Sequence, residues 1–231
     1  CPVVEIGAGL GDLTCALLKT GADVTAVELD RRLCEYLREI FEEQPRFHLI
    51  EGDACRLDYD RIMGDQLYRT VSSLPYSSSS PIIGRFLEIC NPPEEIVVLL
   101  QREVGQRLCA SPADNKAYGS LSVRAQHAYH LQIESYAPPE VFYPPPKVNS
   151  ALVRMIARNP FPCQEERLGL RKVCEVAFRH RRKKLRSALT QEYGESRTKR
   201  AFARLDLAEN VRPEALNPDK FRALAMELQN D

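Results

Sequence analysis

The sequence predicts an α/β fold: a doubly wound, largely parallel sheet of nucleoside-binding type, with a small helical domain at the C-terminal end. Three observations predict it. The apolar run 3–6 ends in the glycine-rich turn Gly7-Ala8-Gly9-Leu10-Gly11. An amphipathic stretch then leads to a second apolar run, 24–29, which carries the acid Glu28 near its end. Strand signal disappears after Asn159-Pro160, and the chain from Leu168 onward reads as short helices. The first two observations describe strand, tight turn, helix and parallel strand. The third places a domain boundary, giving an expected sheet domain over 1–158 and a helical domain of about 70 residues over 159–231.

The glycines let backbone approach a ligand where a side chain would collide. Their spacing is GxGxG and not the GxGxxG of a dinucleotide site. That favours a nucleoside without phosphates, and S-adenosyl-L-methionine fits the description. An acid at the end of the second strand can take both ribose hydroxyls. The competing interpretation is a tight βα turn with no ligand.

Asp12–Lys19 is expected to be helical, with Asp12 favourable near its N-terminus. Asp30 can cap a second helix carrying Leu33, Tyr36, Leu37 and Phe41, which Pro45 ends. Residues 47–50 form a third strand, followed by Glu51-Gly52-Asp53-Ala54. Asp53 then lies on the same edge as Glu28, placed to accept from an adenine amine; Gly-Asp is also ordinary turn chemistry. A fourth strand, 68–74, runs into Ser73-Leu74-Pro75-Tyr76. A helix over 82–89, a buried strand over 96–100, helices over 101–109 and 121–128, and strands over 131–136 and 151–156 complete the domain. The prolines of 138–148 predict a stiff extended loop. Pro75-Tyr76 offers a rigid turn and an aromatic face at the ligand edge, and Phe142 a second face; a base taken out of its stack needs such platforms.

Lys plus Arg and Asp plus Glu balance at 32 each, so any nucleic-acid signal is local. It lies at 179–186, where Arg179, Arg181, Arg182, Lys183, Lys184 and Arg186 put six basic residues in eight with no acid between them. Such clusters bind phosphate backbones, whereas a solvated helix face usually mixes in acids. Arg197, Lys199, Arg200 and Arg204 extend the basic run. Eight cysteines without a CxxC pair, and without metal-type spacing to the four histidines, read as reduced packing residues in a cytoplasmic protein with no metal. No apolar run approaches the roughly 20 residues of a membrane span, and no signal peptide is expected.

Eight strings, in order, resemble the small-subunit rRNA adenine N6,N6-dimethyltransferases: VVEIGAGLGDLT, VTAVELDRRL, IEGDA, SLPYSSSSPII, LLQREVGQRL, AYGSLSV, PPEVFYPPPKVNSALVR and AFRHRRKKLRSAL. The resemblance implies a Rossmann-like class I methyltransferase sheet of seven strands, the last antiparallel, and a C-terminal helical RNA-binding domain. It implies methyl transfer from S-adenosylmethionine to two adjacent adenines near the 3′ end of small-subunit rRNA, within a ribosomal assembly intermediate, by a monomer. By position in the motifs, Gly7, Gly9, Glu28, Asp53 and Ser73 would hold the cofactor. Ser73, Leu74, Pro75, Tyr76 and Phe142 would form the catalytic site, with Tyr76 stacked on the adenine and Phe142 on its other side. Ser73 stands where the family has asparagine, with a shorter reach and a single hydroxyl. The chain begins at Cys1, on the first strand, without the glutamine-asparagine-phenylalanine-leucine stretch that precedes it in the family; a fragment is expected. Ser73 motivates a rival, a catalytically weakened RNA-binding assembly factor on the same fold. A nicotinamide-dependent oxidoreductase is opposed by the loop spacing, Asp53 and the SLPY turn. The PPPKVNS loop and the length of the C-terminal part favour the small-subunit branch over a large-subunit relative.

Overall fold

A computed structural model describes residues 1–114, 116–179 and 184–229. The chain packs into two compact units. One comprises Cys1–Gly105 and Gln132–Ala157; the other comprises Gln106–Leu131 and Arg158–Asp231.

The sheet is built from β1 (Pro2–Ile6), β2 (Asp23–Glu28), β3 (Phe47–Glu51), β4 (Arg69–Ser73), β5 (Glu95–Gln101), β6 (Tyr129–Ala137) and β7 (Ser150–Ala157), in the order β3-β2-β1-β4-β5-β7-β6. The β1–β2, β1–β4, β2–β3 and β4–β5 pairs are parallel, and β7 runs antiparallel to β5. This is the expected α/β architecture, with seven strands and an antiparallel last strand. Parallel order puts the carboxyl ends of β1, β2, β3, β4 and β5 on one edge, where ligands of such sheets bind.

Helices α1 (Asp12–Lys19) and α2 (Arg31–Ile40) follow β1 and β2. The Asp30 side chain accepts from the Arg32 N–H and caps α2. Cys34 and Leu37 are buried along α2, with Phe41 at its C-cap. Tyr36, expected on that buried stripe, is 43% exposed. The inward positions are 34, 37 and 41, and 36 falls outside that arc. Gly11 permits the turn into α1: its φ is 86°, and a Cβ there would lie 2.8 Å from Phe41 Cε2 and 3.1 Å from Leu37 Cδ2.

A one-turn helix, α3 (Tyr59–Met63), was not expected; the Asp58 side chain caps it by accepting from the Arg61 N–H. α4 occupies Ser79–Phe86, three residues earlier than the apolar pattern suggested. Pro81 is tolerated there because its first-turn nitrogen needs no intrahelical partner, and Ser79 Oγ donates to the Tyr76 carbonyl at 3.3 Å. The proline-rich loop contains a 3₁₀ turn at Pro139–Val141 and is not extended throughout.

In the second unit, α5 (Arg102–Cys109) from Gln106 onward and α6 (Ser120–Ala128) group with α7 (Gln164–Arg179), α8 (Leu185–Tyr193), α9 (Glu195–Arg204) and α10 (Pro218–Gln229). Tyr118 and Val123 share one core with Leu170, Val173, Leu189, Phe202, Phe221 and Leu224. The Tyr118 hydroxyl donates to the Leu216 carbonyl at 2.8 Å. The division therefore differs from a single cut at 158/159: residues 106–131 precede that point in sequence but supply part of the helical core. No helix among the described residues is long and apolar enough to cross a membrane.

Gly11→Ala is expected to destabilise the protein by about 1–3 kcal/mol, the usual cost of overpacking, with positive-φ strain added. Urea unfolding of the two proteins measures the difference.

Candidate active site at the carboxyl edge of the sheet

β1 and β4 share backbone pairing only at Val3–Arg69 and Val4–Thr70. Ser72 extends the join, its Oγ accepting the Ile6 N–H at 2.8 Å. Beyond it, a Cβ on Gly7 would lie 3.4 Å from the Pro75 ring. The glycine loop and the SLPY turn thereby lie side by side, with room for no more than a methyl group between Gly7 and Pro75.

Glu28 is nearly buried at the end of β2. Its Oε2 accepts the Gly9 N–H at 3.0 Å, and its Oε1 accepts the Leu29 and Asp30 N–H groups at 2.8 and 3.0 Å. With three bonds accepted out of about four lone-pair sites, the free acceptor capacity lies on Oε2. In front of Gly9 there is open space that a side chain would enter. Leu10 and Leu29, beside Gly9 and Glu28 in sequence, are 63% and 69% exposed. An open cradle, an anchored carboxylate and two uncovered apolar side chains fit a nucleoside.

Asp53 follows β3. Its Oδ1 accepts the Cys55 N–H at 2.9 Å, and its Oδ2 lies 3.4 Å from Arg56 Nε. Asp53 thus makes the turn that its Gly-Asp context allows, and Oδ2 faces an ion pair that water already weakens.

Ser73 is exposed, and no hydrogen bond engages its hydroxyl among the described residues. The Leu74 N–H donates to the Leu99 carbonyl at 2.9 Å, and Pro75 accepts from the Ser78 N–H. The Tyr76 hydroxyl is 2.5 Å from Ser150 Oγ, a residue buried at the start of β7. Ser150 was not anticipated; the only signal was its place in the VNSALVR string. Phe142 is half-buried in the proline-rich loop, and among the described residues no ring contact joins it to Tyr76.

Glu5 was also missed. It is 1% exposed within β1, and Thr14 Oγ1 donates to its Oε2 at 2.6 Å. Burial pushes its carboxyl up to about 7, with the Glu28 charge adding to the effect and the Thr14 bond opposing it. A cavity of about 680 Å³ opens over Thr25, His48 and Ile50 beside α3, and also touches Pro2 and Asp23 at the amino ends of their strands. It does not include the carboxyl-edge residues.

Of the basic cluster, Arg181, Arg182 and Lys183 lie outside the described residues. Arg179 and Lys184 are exposed. Arg186 pairs with Glu195 at 2.6 Å and with Glu209, so acids remote in sequence offset a charge that read as unopposed. Arg204 is likewise paired, with Glu227 at 2.8 Å.

The family model for "Ribosomal RNA adenine dimethylase" matches residues 1–230. The chain belongs to this family. The ribosomal RNA small subunit methyltransferase A of Synechococcus sp. (strain JA-3-3Ab) is 40% identical over 228 residues, covering 96% of this chain and 80% of that protein. In fold, the chain is similar to a dimethyladenosine transferase from Plasmodium falciparum (TM-score 0.77, 21% identity, 98% of this chain and 89% of that one). It is also similar to the 23S rRNA methyltransferase ErmE (TM-score 0.67, 22% identity, 99% and 91%). Membership of the dimethylase family accords with the close approach of glycine loop and SLPY turn, because methyl transfer to a base needs donor and acceptor sites side by side.

The Glu5 carboxyl is raised in the folded state from an ordinary value of 4.5. The stability it favours is therefore fully present below the unfolded pKa and is lost as pH rises through about 7. Relative to Glu5→Gln, the wild type is expected to lose about 3 kcal/mol across that window. Thermal melts of both proteins against pH provide the comparison.

Proposed function

We propose that this chain transfers methyl groups from S-adenosyl-L-methionine to N6 of two adjacent adenines near the 3′ end of small-subunit rRNA, in a ribosomal assembly intermediate. The observation that carries the proposal is the packing of Gly7 against Pro75, which sets a nucleoside cradle beside an aromatic turn. Family membership supports the reaction class.

In this reading the Gly7–Gly9 backbone and Glu28 hold the donor, Glu28 accepting from ribose hydroxyls and Asp53 from the adenine amine. Bound S-adenosylmethionine supplies a methyl carbon activated by its sulfonium, the C–S bond breaking as the N–C bond forms. Tyr76 stacks on the extruded adenine, its ring fixed through Ser150. Phe142 covers the other face of the base. The Ser73 hydroxyl, with the carbonyl of Leu74 or Pro75, accepts from the two N6 hydrogens and turns the nitrogen lone pair toward the methyl carbon. No general base is assigned: Glu5 is enclosed in the sheet and bonded to Thr14, and the N6 proton leaves to solvent. The helical unit, through Arg179, Arg181, Arg182, Lys183 and Lys184, contacts the RNA backbone, and shape selects the site. The protein works as a cytoplasmic monomer.

Labelled methyl transfer to unmethylated small ribosomal subunits, followed by nucleoside analysis, tests the proposal. Wild type should yield N6,N6-dimethyladenosine. Tyr76→Ala should abolish transfer while calorimetry finds S-adenosylmethionine bound as before; equal loss of both would remove Tyr76 from the base site. Label appearing only with Ser73→Asn would instead identify a weakened assembly factor.

Ser150→Ala removes one hydrogen bond to Tyr76. A loss of about 1–1.5 kcal/mol, about tenfold in kcat/KM, is expected. Single-turnover kinetics at saturating donor measure it, with donor affinity unchanged.

A further inference from the structure

Where β5 passes into α5, a cavity of about 340 Å³ is lined by Gln101, Arg102, Glu103, Lys147, Val148 and Asn149. Its size suits a nucleotide-sized group, since small-ligand sites begin at about 300 Å³. It adjoins Tyr76 through a short covalent and hydrogen-bonded path. Ser150, which holds the Tyr76 hydroxyl, is the residue after Asn149 and faces Gln101 across the β5–β7 ladder.

The cavity wall is organised. The Arg102 N–H donates to the Asn149 carbonyl at 2.9 Å, tying the proline-rich segment to the start of α5. The Arg102 guanidinium sits 5.0 Å from the centre of the Tyr136 ring, a cation–π contact that orders the side chain. Arg38, Arg69 and Arg154 of the same unit all have carboxylate partners. Among the described residues, Arg102 and Lys147 have none, and both are exposed. Tyr143, four residues before Lys147, is 100% exposed. Unpaired cations interleaved with uncovered aromatic rings are what a single-stranded nucleic acid requires: charge for the backbone and π-faces for the bases.

An adenine cannot leave its stack without drawing its neighbours' phosphodiester with it. We propose that this cavity receives the ribonucleotide flanking the target adenine, with Arg102 and Lys147 on its phosphate and Glu103 and Asn149 on its 2′-hydroxyl. The inference rests on Tyr76 as the base platform. Glu103 gives it direction: a carboxylate repels phosphate but accepts from a hydroxyl, so phosphate and ribose have separate places. The 2′-hydroxyl is what distinguishes RNA from DNA at such a site.

The test is binding of a short single-stranded oligoribonucleotide containing two adjacent adenines, by fluorescence anisotropy over a salt series, with the full chain. The Arg102→Ala/Lys147→Ala protein should bind at least tenfold more weakly, with a salt slope shallower by about 1.4, or about 0.7 per cation on a single strand. Calorimetric affinity for S-adenosylmethionine should not change. Lys147→Ala alone, at an exposed position, should show half the slope change and guards against damage from losing the Arg102–Tyr136 contact. Equal affinity and slope in wild type and variants, or no binding by wild type, would overturn the proposal. Equal binding of the deoxy oligonucleotide would overturn the ribose contact. Wild type that binds through these cations yet methylates no small subunits would refute the substrate assigned above while upholding this site.

Discussion

The site depends on how β1 is joined to β4. Two backbone pairs are too few to fix the relative depth of the loops beyond them, and in the proposed reaction those loops carry the methyl donor and the base. The Ser72 hydroxyl supplies the missing ladder bond to Ile6, and the close approach of Gly7 to Pro75 sets the spacing. A side chain at 7 would be strained by the positive φ of 74° and would fill the remaining space against the Pro75 ring. Moving reacting atoms by an ångström costs far more rate than the same shift costs stability. In the proposed reaction the join therefore constrains catalysis more tightly than folding.

Two carboxyls near this edge sit in different surroundings. Glu28 accepts three backbone N–H bonds at the end of a strand. Glu5 has a hydroxyl bond at 2.6 Å and deep burial, and burial prevails. The pair places a carboxyl anchored by backbone N–H groups beside a group that gains charge only near neutrality. Because the Glu28 charge adds to the upward push on the Glu5 carboxyl, covering Glu28 with a ligand would also be felt at Glu5.

Much of the sheet was legible in the sequence because parallel strands are buried on both faces and read as apolar runs. β5 is the clearest case, differing from the expected 96–100 by one residue at each end. The cradle was legible because glycines and an acid at fixed strand ends have few other uses. Helix faces were less clear: Leu33 and Tyr36 sit at helical spacing with Leu37, yet Cys34 takes the inward place. Ser72, Ser150 and Glu5 escaped notice since a lone polar residue in an apolar run carries no mark of its partner. Those partners lie 66, 74 and 9 residues away. The same blindness made the basic run look unopposed, because Glu195 and Glu209 reach Arg186 only once the helices fold.

The chain passes between its two units three times, at 105/106, 131/132 and 157/158. Neither unit is a contiguous length of polypeptide. A gene cut after residue 158 would not yield a free sheet domain; it would yield a sheet with Tyr118 and Val123 stripped of the helices that bury them. Exchange of the C-terminal helices between relatives would meet the same obstacle. A donor's 158–231 would have to fit a host's 106–131, so this protein's helical unit is inherited in two pieces that must change together.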